Sequence, residues 1–83
     1  MIFFSVSDNG ELTREGTIPT GDFPRDAIFS PDGKWIITAC QGDDTVGIYS
    51  YRSDASIPLS DRVKLHTVLT LPENSAPCAL LFV

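Results

Sequence analysis

The order of apolar and polar residues along the chain predicts a series of short strands. Apolar runs alternate with turn residues about every eight to twelve positions, a spacing typical of antiparallel sheet. No segment shows the 3.6-residue period of an amphipathic helix, so no helix is predicted. Strands are predicted at residues 2–6, 12–18, 25–29, 34–40, 45–51, 63–71 and 78–83.

Tight turns separate the predicted strands. The Asp-Asn-Gly turn at 8–10 favours a hairpin, because Asn and Gly accept a positive φ angle. In the Ser-Pro-Asp-Gly turn at 30–33, Pro31 presets φ and Gly33 supplies a left-handed exit. The strand at 34–40 that follows is apolar on both faces, which predicts that it packs between two layers.

The chain contains an imperfect internal repeat. Residues 23–30 align with 76–83 at an offset of 53, which matches Pro24 to Pro77. Residues 2–6 align with 47–51 at an offset of 45, and the longer polar loop at 52–61 accounts for the difference. A repeat of about fifty residues that holds about four strands is the period of a propeller blade.

The stretch 21–51 resembles the last full blade of the lactonase family of seven-bladed β-propellers. That family includes the cyclo-isomerase-like and 6-phosphogluconolactonase members. The residues that carry the resemblance, in order, are Gly21, Pro24-Arg25, Ser30-Pro31-Asp32-Gly33, Lys34-Trp35 and Cys40-Gln41. One departure is Cys40, which stands where the family usually has Asn.

The resemblance implies an all-β fold of antiparallel β-propeller blades. The length of the chain allows about one complete blade and parts of two neighbours, so residues 1–83 are expected to be the C-terminal fragment of a propeller. Propellers protect their sheet edges by radial closure, and a fragment of this size cannot close. The expected partners are therefore the remaining blades of the parent protein or further copies of the chain.

Composition narrows the range of partners and compartments. Six Lys and Arg against eleven Asp and Glu give a formal net charge of −5, which disfavours binding to nucleic acid. No apolar run is long enough to span a membrane, and the first residues lack the basic region of a signal peptide. With only Cys40 and Cys78, two reduced thiols in a cytoplasmic protein are expected. No cofactor or metal is expected.

Strand order predicts a candidate site at one rim of the propeller, near its central channel. The start of strand 25–29 and the end of strand 34–40 lie at the same end of the sheet. Arg25, Asp26, Gln41 and, through the repeat, Cys78 are expected to gather there. Arg25 could bind an anion or stabilise an oxyanion, or could instead form a salt bridge with a carboxylate such as Asp26. Asp26 and Gln41 are candidate substrate-binding residues, although an amide in a turn more often caps backbone groups.

Other polar residues favour ordinary surface roles. His66, the only histidine, is expected to be exposed to solvent. Asp43 and Asp44 lack the spacing of a calcium loop, so a solvated turn is favoured over a cation site.

The resemblance implies that the intact parent acts on a sugar-acid lactone, as a 6-phosphogluconolactonase does. Such hydrolysis needs an oxyanion stabiliser and a general base, and Arg25 is a candidate only for the first role. The 83 residues alone are expected to be inactive. The alternative is a non-catalytic propeller fragment that serves as a structural or interaction module.

Overall fold

The structure is a computed structural model that describes residues 1–54 and 56–82. Six of the seven predicted strands are present, and each of their ends lies within one residue of the predicted position. The elements are β1 (Ile2–Val6), β2 (Leu12–Thr17), β3 (Pro24–Phe29), β4 (Trp35–Cys40), β5 (Thr45–Tyr51), α1 (Leu59–Arg62) and β6 (Val63–Thr70).

The strands form two antiparallel sheets. The first is the hairpin of β1 and β2. The second has four strands in the order β3-β4-β5-β6, so each strand pairs with its neighbours in sequence. This four-stranded sheet is called the blade below. The arrangement confirms the predicted antiparallel all-β class.

The hydrophobic core lies where the β1–β2 hairpin and α1 pack against one face of the blade. Its buried members come from β4, β5, α1 and β6, and are Ile36, Tyr49, Leu59 and Val63. Met1, Phe3, Ile18 and Tyr51 pack around them. The most buried strand is β4, in which Thr38, Ala39 and Cys40 are fully inaccessible to solvent. The strand predicted to be apolar on both faces is therefore the most buried one, and the core packs against one face of the blade.

The expectation that the chain has no helix is wrong, because α1 forms one turn in the loop between β5 and β6. The turn is held by tertiary contacts that a local pattern does not reveal. Leu59 packs over Gly16, where an added Cβ would lie 3.0 Å from the Leu59 Cδ2 atom and φ is +151°. Arg62 donates from Nε to the Ile57 carbonyl over 3.0 Å and lies 3.8 Å from Glu15. Within the described residues, no helix is long and apolar enough to cross a membrane.

The predicted strand at 78–83 is wrong over residues 78–82, which are irregular, and residue 83 lies outside the described residues. The repeat equates this segment with β3, which is a strand because it pairs with β4. Segment 78–82 belongs to neither sheet. Instead, its backbone is held by a side chain, since the Leu80 N–H donates to the Asp26 carboxylate over 2.9 Å.

Candidate functional site

The candidate residues lie at the end of the blade where β3 begins and β4 ends. Pro24 is paired with Cys40, and two further hydrogen bonds continue the pairing beyond the strands. The Gln41 N–H donates to the Phe23 carbonyl, and the Gly42 N–H donates to the Asp22 carbonyl, each over 3.0 Å. Residues 22–26 and 40–44 are called the rim segment below.

Gly42 permits this close pairing of two loops. A Cβ atom added at Gly42 would lie 2.7 Å from the Asp22 carboxylate and 3.0 Å from the Phe23 Cβ atom. A side chain at position 42 would therefore displace the Asp22 carboxylate and press against Phe23, whereas glycine fits without any shift. The rim segment is therefore packed tightly although it is close to solvent.

Arg25 occupies a β-bulge. Pro24 pairs with Cys40 and Asp26 pairs with Ala39, so Arg25 has no opposite residue on β4. A bulge bends its strand and redirects the side chain of the extra residue. The guanidinium carbon of Arg25 lies 5.4 Å from the centroid of the Phe23 ring, within the range of a cation–π contact.

The salt bridge considered for Arg25 is not formed. In the part of the chain that the structure describes, the ion pairs are Arg62 with Glu15 and Lys64 with Asp61. Arg25 is exposed, and the Phe23 ring contacts the guanidinium without using its N–H donors. A guanidinium with free N–H groups can bind a carboxylate or phosphate through two parallel hydrogen bonds. Arg25 therefore has the chemistry of an exposed anion-binding group.

Asp26 joins the start of β3 to the segment that follows the blade. One of its carboxylate oxygens accepts from the Ala27 N–H over 2.9 Å, and the other accepts from the Leu80 N–H. The segment containing Cys78 therefore lies beside the rim segment, as expected from the repeat. The Asp26 carboxylate serves as an acceptor for the backbone in this arrangement.

Gln41 is half-buried, and it contributes a backbone hydrogen bond to the rim segment. The structure thus brings Gln41 and Arg25 to the same end of the blade. Cys40 is buried and Cys78 is exposed, and both thiols are free, as predicted.

Asp43 holds the loop that enters the blade, a role that the sequence analysis did not assign. Its Oδ1 atom accepts from the Thr45 hydroxyl over 2.6 Å, and its Oδ2 atom accepts from the Asp22 N–H over 3.0 Å. The Thr45 hydroxyl has the larger effect on the Asp43 carboxyl and the Asp22 N–H the smaller, and both lower its pKa. The Asp-x-Thr spacing is the one local signal of this arrangement, whereas Asp22 is distant in sequence.

Asp44 holds the segment that leaves the blade. Its carboxylate accepts from the Asn74 N–H over 2.9 Å and from the Ala76 N–H over 2.7 Å. Residues 41–44 form the predicted turn, and Asp43 is exposed in it, but both carboxylates also accept hydrogen bonds from distant backbone groups. No group of three or more His, Cys, Asp and Glu side chains that could hold a metal ion is found within residues 1–54 and 56–82.

His66 lies away from the rim segment and is exposed, as predicted. Its ring makes an edge-on contact with Trp35, with a centroid distance of 5.0 Å. Trp35 is the first residue of β4, whereas the rim segment lies at the end of that strand.

Comparison with known proteins agrees with the geometry. No curated protein and no solved structure matches the chain. A family model described as "Lactonase, 7-bladed beta-propeller" matches residues 1–69. The match covers the β1–β2 hairpin and nearly all of the blade, so the chain belongs to the lactonase family of seven-bladed β-propellers.

Proposed function

We propose that this chain supplies one blade, with Arg25 at its rim, to a propeller that hydrolyses a sugar-acid lactone, as a 6-phosphogluconolactonase does. Membership of the lactonase family supports the reaction class. The observation that carries the proposal is the bulge at Arg25, which directs an exposed guanidinium over the Phe23 ring. Bulges are over-represented beside active sites, where they redirect a side chain.

The chemistry assigns Arg25 a single role. Water adds to the carbonyl carbon of the lactone, and negative charge develops on the carbonyl oxygen. The bond from this carbon to the ring oxygen then breaks, and the ring oxygen takes up a proton to leave a carboxylic acid and a hydroxyl group. Arg25 donates N–H groups to the developing oxyanion or to an anionic substituent of the sugar acid. Asp26 already accepts two backbone N–H groups, so the general base is assigned to another blade.

Anion binding at Arg25 tests the proposal directly. The full chain, labelled with nitrogen-15, is titrated with 6-phosphogluconate while the arginine Nε–Hε signals are followed by NMR. We expect the Arg25 signal to shift and to saturate as the 6-phosphogluconate concentration rises, as for weak binding. In Arg25→Ala, the chemical shift changes of the other residues of the rim segment should disappear. Arg25→Lys keeps the charge but loses the two-pronged geometry, so intermediate binding is expected.

Arg14→Ala is the matched control. Arg14 donates to the Thr17 hydroxyl over 3.0 Å at the end of β2, outside the rim segment. Arg14→Ala is therefore expected to bind 6-phosphogluconate as the wild type does. Equal loss of binding in both alanine variants, or no saturable shift in the wild type, would contradict the proposal.

The chain by itself is expected to be inactive as a lactonase. Arg25 is exposed, and a charge in contact with water stabilises an oxyanion far less than a charge in a closed site. Hydrolysis of 6-phosphogluconolactone by the isolated chain is expected to match the uncatalysed rate. Hydrolysis well above that rate, abolished by Arg25→Ala, would show that one blade is sufficient.

The second candidate is a non-catalytic interaction or structural module, favoured by an exposed apolar groove. The groove has a volume of about 350 Å³ and lies between β1 and β3, with Phe4 and Phe29 about half exposed along it. Sheet edges and apolar faces of this kind bind other polypeptides. Under this alternative, Phe29→Ser weakens association with the parent propeller, and Arg25→Ala leaves both association and anion binding unchanged.

A further inference from the structure

The place of the Arg25 guanidinium depends on a strained loop. Phe23, whose ring supports the guanidinium, has a φ angle of +50°. This left-handed conformation is unfavourable for a residue with a bulky side chain, so it persists only where neighbouring contacts impose it. The contacts that impose it therefore also set the position of Arg25.

Three hydrogen bonds fix the loop beside Phe23. Two of them use the carbonyl groups of Asp22 and Phe23, which accept from the backbone of residues 42 and 41. The third uses the Asp22 N–H, which donates to the Asp43 Oδ2 atom over 3.0 Å. Asp43 is itself oriented by the Thr45 hydroxyl, which donates to Oδ1 over 2.6 Å. Asp43 is thus the side chain that anchors the residue before Phe23.

We propose that Asp43 is a positioning residue for Arg25: through Asp22 it holds Phe23 in the left-handed conformation that places the ring beneath the guanidinium. The proposal rests on the proposed function, because it assigns to Asp43 the preorganisation of the anion site. A guanidinium held in place loses less conformational freedom when an anion binds, so its affinity is higher.

Alanine is the informative replacement for Asp43. Asp43 receives two donors on two oxygens. Asparagine could keep both contacts, because its oxygen can accept from the Asp22 N–H while its NH2 group donates to the Thr45 hydroxyl. Asp43→Ala removes both hydrogen bonds, and because Asp43 is exposed the change leaves no cavity in the core.

Asp32 provides a matched control at the opposite end of the β3–β4 pair. Its Oδ1 atom accepts from the Lys34 N–H over 3.0 Å and from the Ser30 hydroxyl over 2.5 Å. Asp32 is also exposed, and Asp32→Ala removes the same kind of contact, from one backbone N–H and one hydroxyl, away from Arg25. A general loss of stability affects both variants, whereas a positioning role affects only Asp43→Ala.

The test uses two measurements on the full chain: the ring-current shift of the Arg25 Nε–Hε signal and the dissociation constant for 6-phosphogluconate. In Asp43→Ala we expect the Arg25 signal to move towards that of a free arginine and the dissociation constant to rise about tenfold, a change that corresponds to one strong hydrogen bond. In Asp32→Ala both quantities are expected to stay at their wild-type values.

The outcomes separate this inference from the proposed function. If Arg25→Ala abolishes binding while Asp43→Ala changes neither quantity, the positioning role is overturned and the proposed function stands. If the wild type does not bind 6-phosphogluconate, the proposed function fails, and the ring-current shift still decides whether Asp43 positions Arg25. Should Asp43→Ala fail to fold, Asp43→Glu replaces it: the added methylene moves the carboxylate away from its position against the Asp22 N–H, and an unchanged Arg25 signal in that variant overturns the inference.

Discussion

Asp43 and Asp44 are adjacent in the turn between β4 and β5, yet their carboxylates hold the two chain segments that enter and leave the blade. Asp43 accepts from the Asp22 N–H in the loop before β3. Asp44 accepts from the N–H groups of Asn74 and Ala76 in the segment after β6. One turn thus fixes both connections of the blade.

Replacing Asp44 is expected to free the segment after the blade. Asp44→Ala removes the acceptor of two backbone N–H groups, so amide hydrogen exchange at Asn74 and Ala76 should become faster. We also expect the free energy of unfolding to fall by about 1–2 kcal/mol, as for the loss of hydrogen bonds to a charged group. Asp8→Ala in the exposed hairpin turn is the control. Unchanged exchange at Asn74 and Ala76 would contradict the role of Asp44.

Acid is expected to destabilise the fold through its turn carboxylates. The pKa of Asp43 is lowered by the Thr45 hydroxyl and the Asp22 N–H, and that of Asp32 is lowered by the Ser30 hydroxyl and the Lys34 N–H. A lowered folded-state pKa contributes stability that is complete above the ordinary aspartate value of 3.8 and is lost as pH falls below it.

The dependence on pH is measured by urea unfolding between pH 6 and pH 2, followed by circular dichroism. The stability of Asp43→Asn should fall less steeply below about pH 4 than that of the wild type, because one linked proton is removed. Parallel curves for the two proteins would show that Asp43 is not hydrogen-bonded in the folded state.

Leu59 and Leu81 are expected to differ sharply in their effect on stability. Leu59 is 9% exposed within the core, whereas Leu81 is 83% exposed. Leu59→Ala should lower the free energy of unfolding by about 2–5 kcal/mol through lost burial and a residual cavity. Leu81→Ala should change it by less than about 0.5 kcal/mol. Similar losses in urea unfolding would mean that α1 does not pack as described.

The two thiols are expected to differ in their reaction rates. Cys78 is exposed, whereas Cys40 is fully buried beside the Thr38 hydroxyl. Under native conditions, a thiol reagent should modify Cys78 rapidly and Cys40 only when the blade opens. Mass spectrometry of time points identifies the modified residue. Equal rates at both positions would show that β4 is not protected.

The chain is expected to associate with other polypeptide. Phe4 and Phe29 are 51% and 52% exposed beside the groove between β1 and β3, and Leu69 on β6 is 49% exposed. Apolar area of this kind favours edge pairing or face-to-face stacking. Light scattering at micromolar concentration should report a mass greater than one chain. A monodisperse monomer with cooperative unfolding would show that these residues form a self-sufficient core.

The alternation of apolar runs and turns in the sequence was sufficient to place six strands. Short turns join β1 to β2, β3 to β4 and β4 to β5, so these neighbours pair directly, whereas β5 and β6 pair across a longer loop that contains α1. The turn at 30–33 returns the chain at once, so β3 and β4 pair without any distant contact. Because this turn makes β3 and β4 antiparallel, the sequence also predicted that Arg25 and Gln41 lie at the same end of the blade. The apolar character of 34–40 likewise predicted the buried position of β4.

Tertiary structure decided the features that depend on partners distant in sequence. The segment 78–82 has an apolar pattern like that of β3, but a strand needs a pairing edge, and the segment is held by the Asp26 carboxylate instead. The turn α1 exists because Leu59 is buried over Gly16. The bulge at Arg25 depends on the pairing of β3 with β4, and the Asp43 carboxylate binds the N–H of Asp22, 21 residues earlier. Neither feature can be read from the sequence, because hydrogen bonds between distant segments leave no periodic pattern in it.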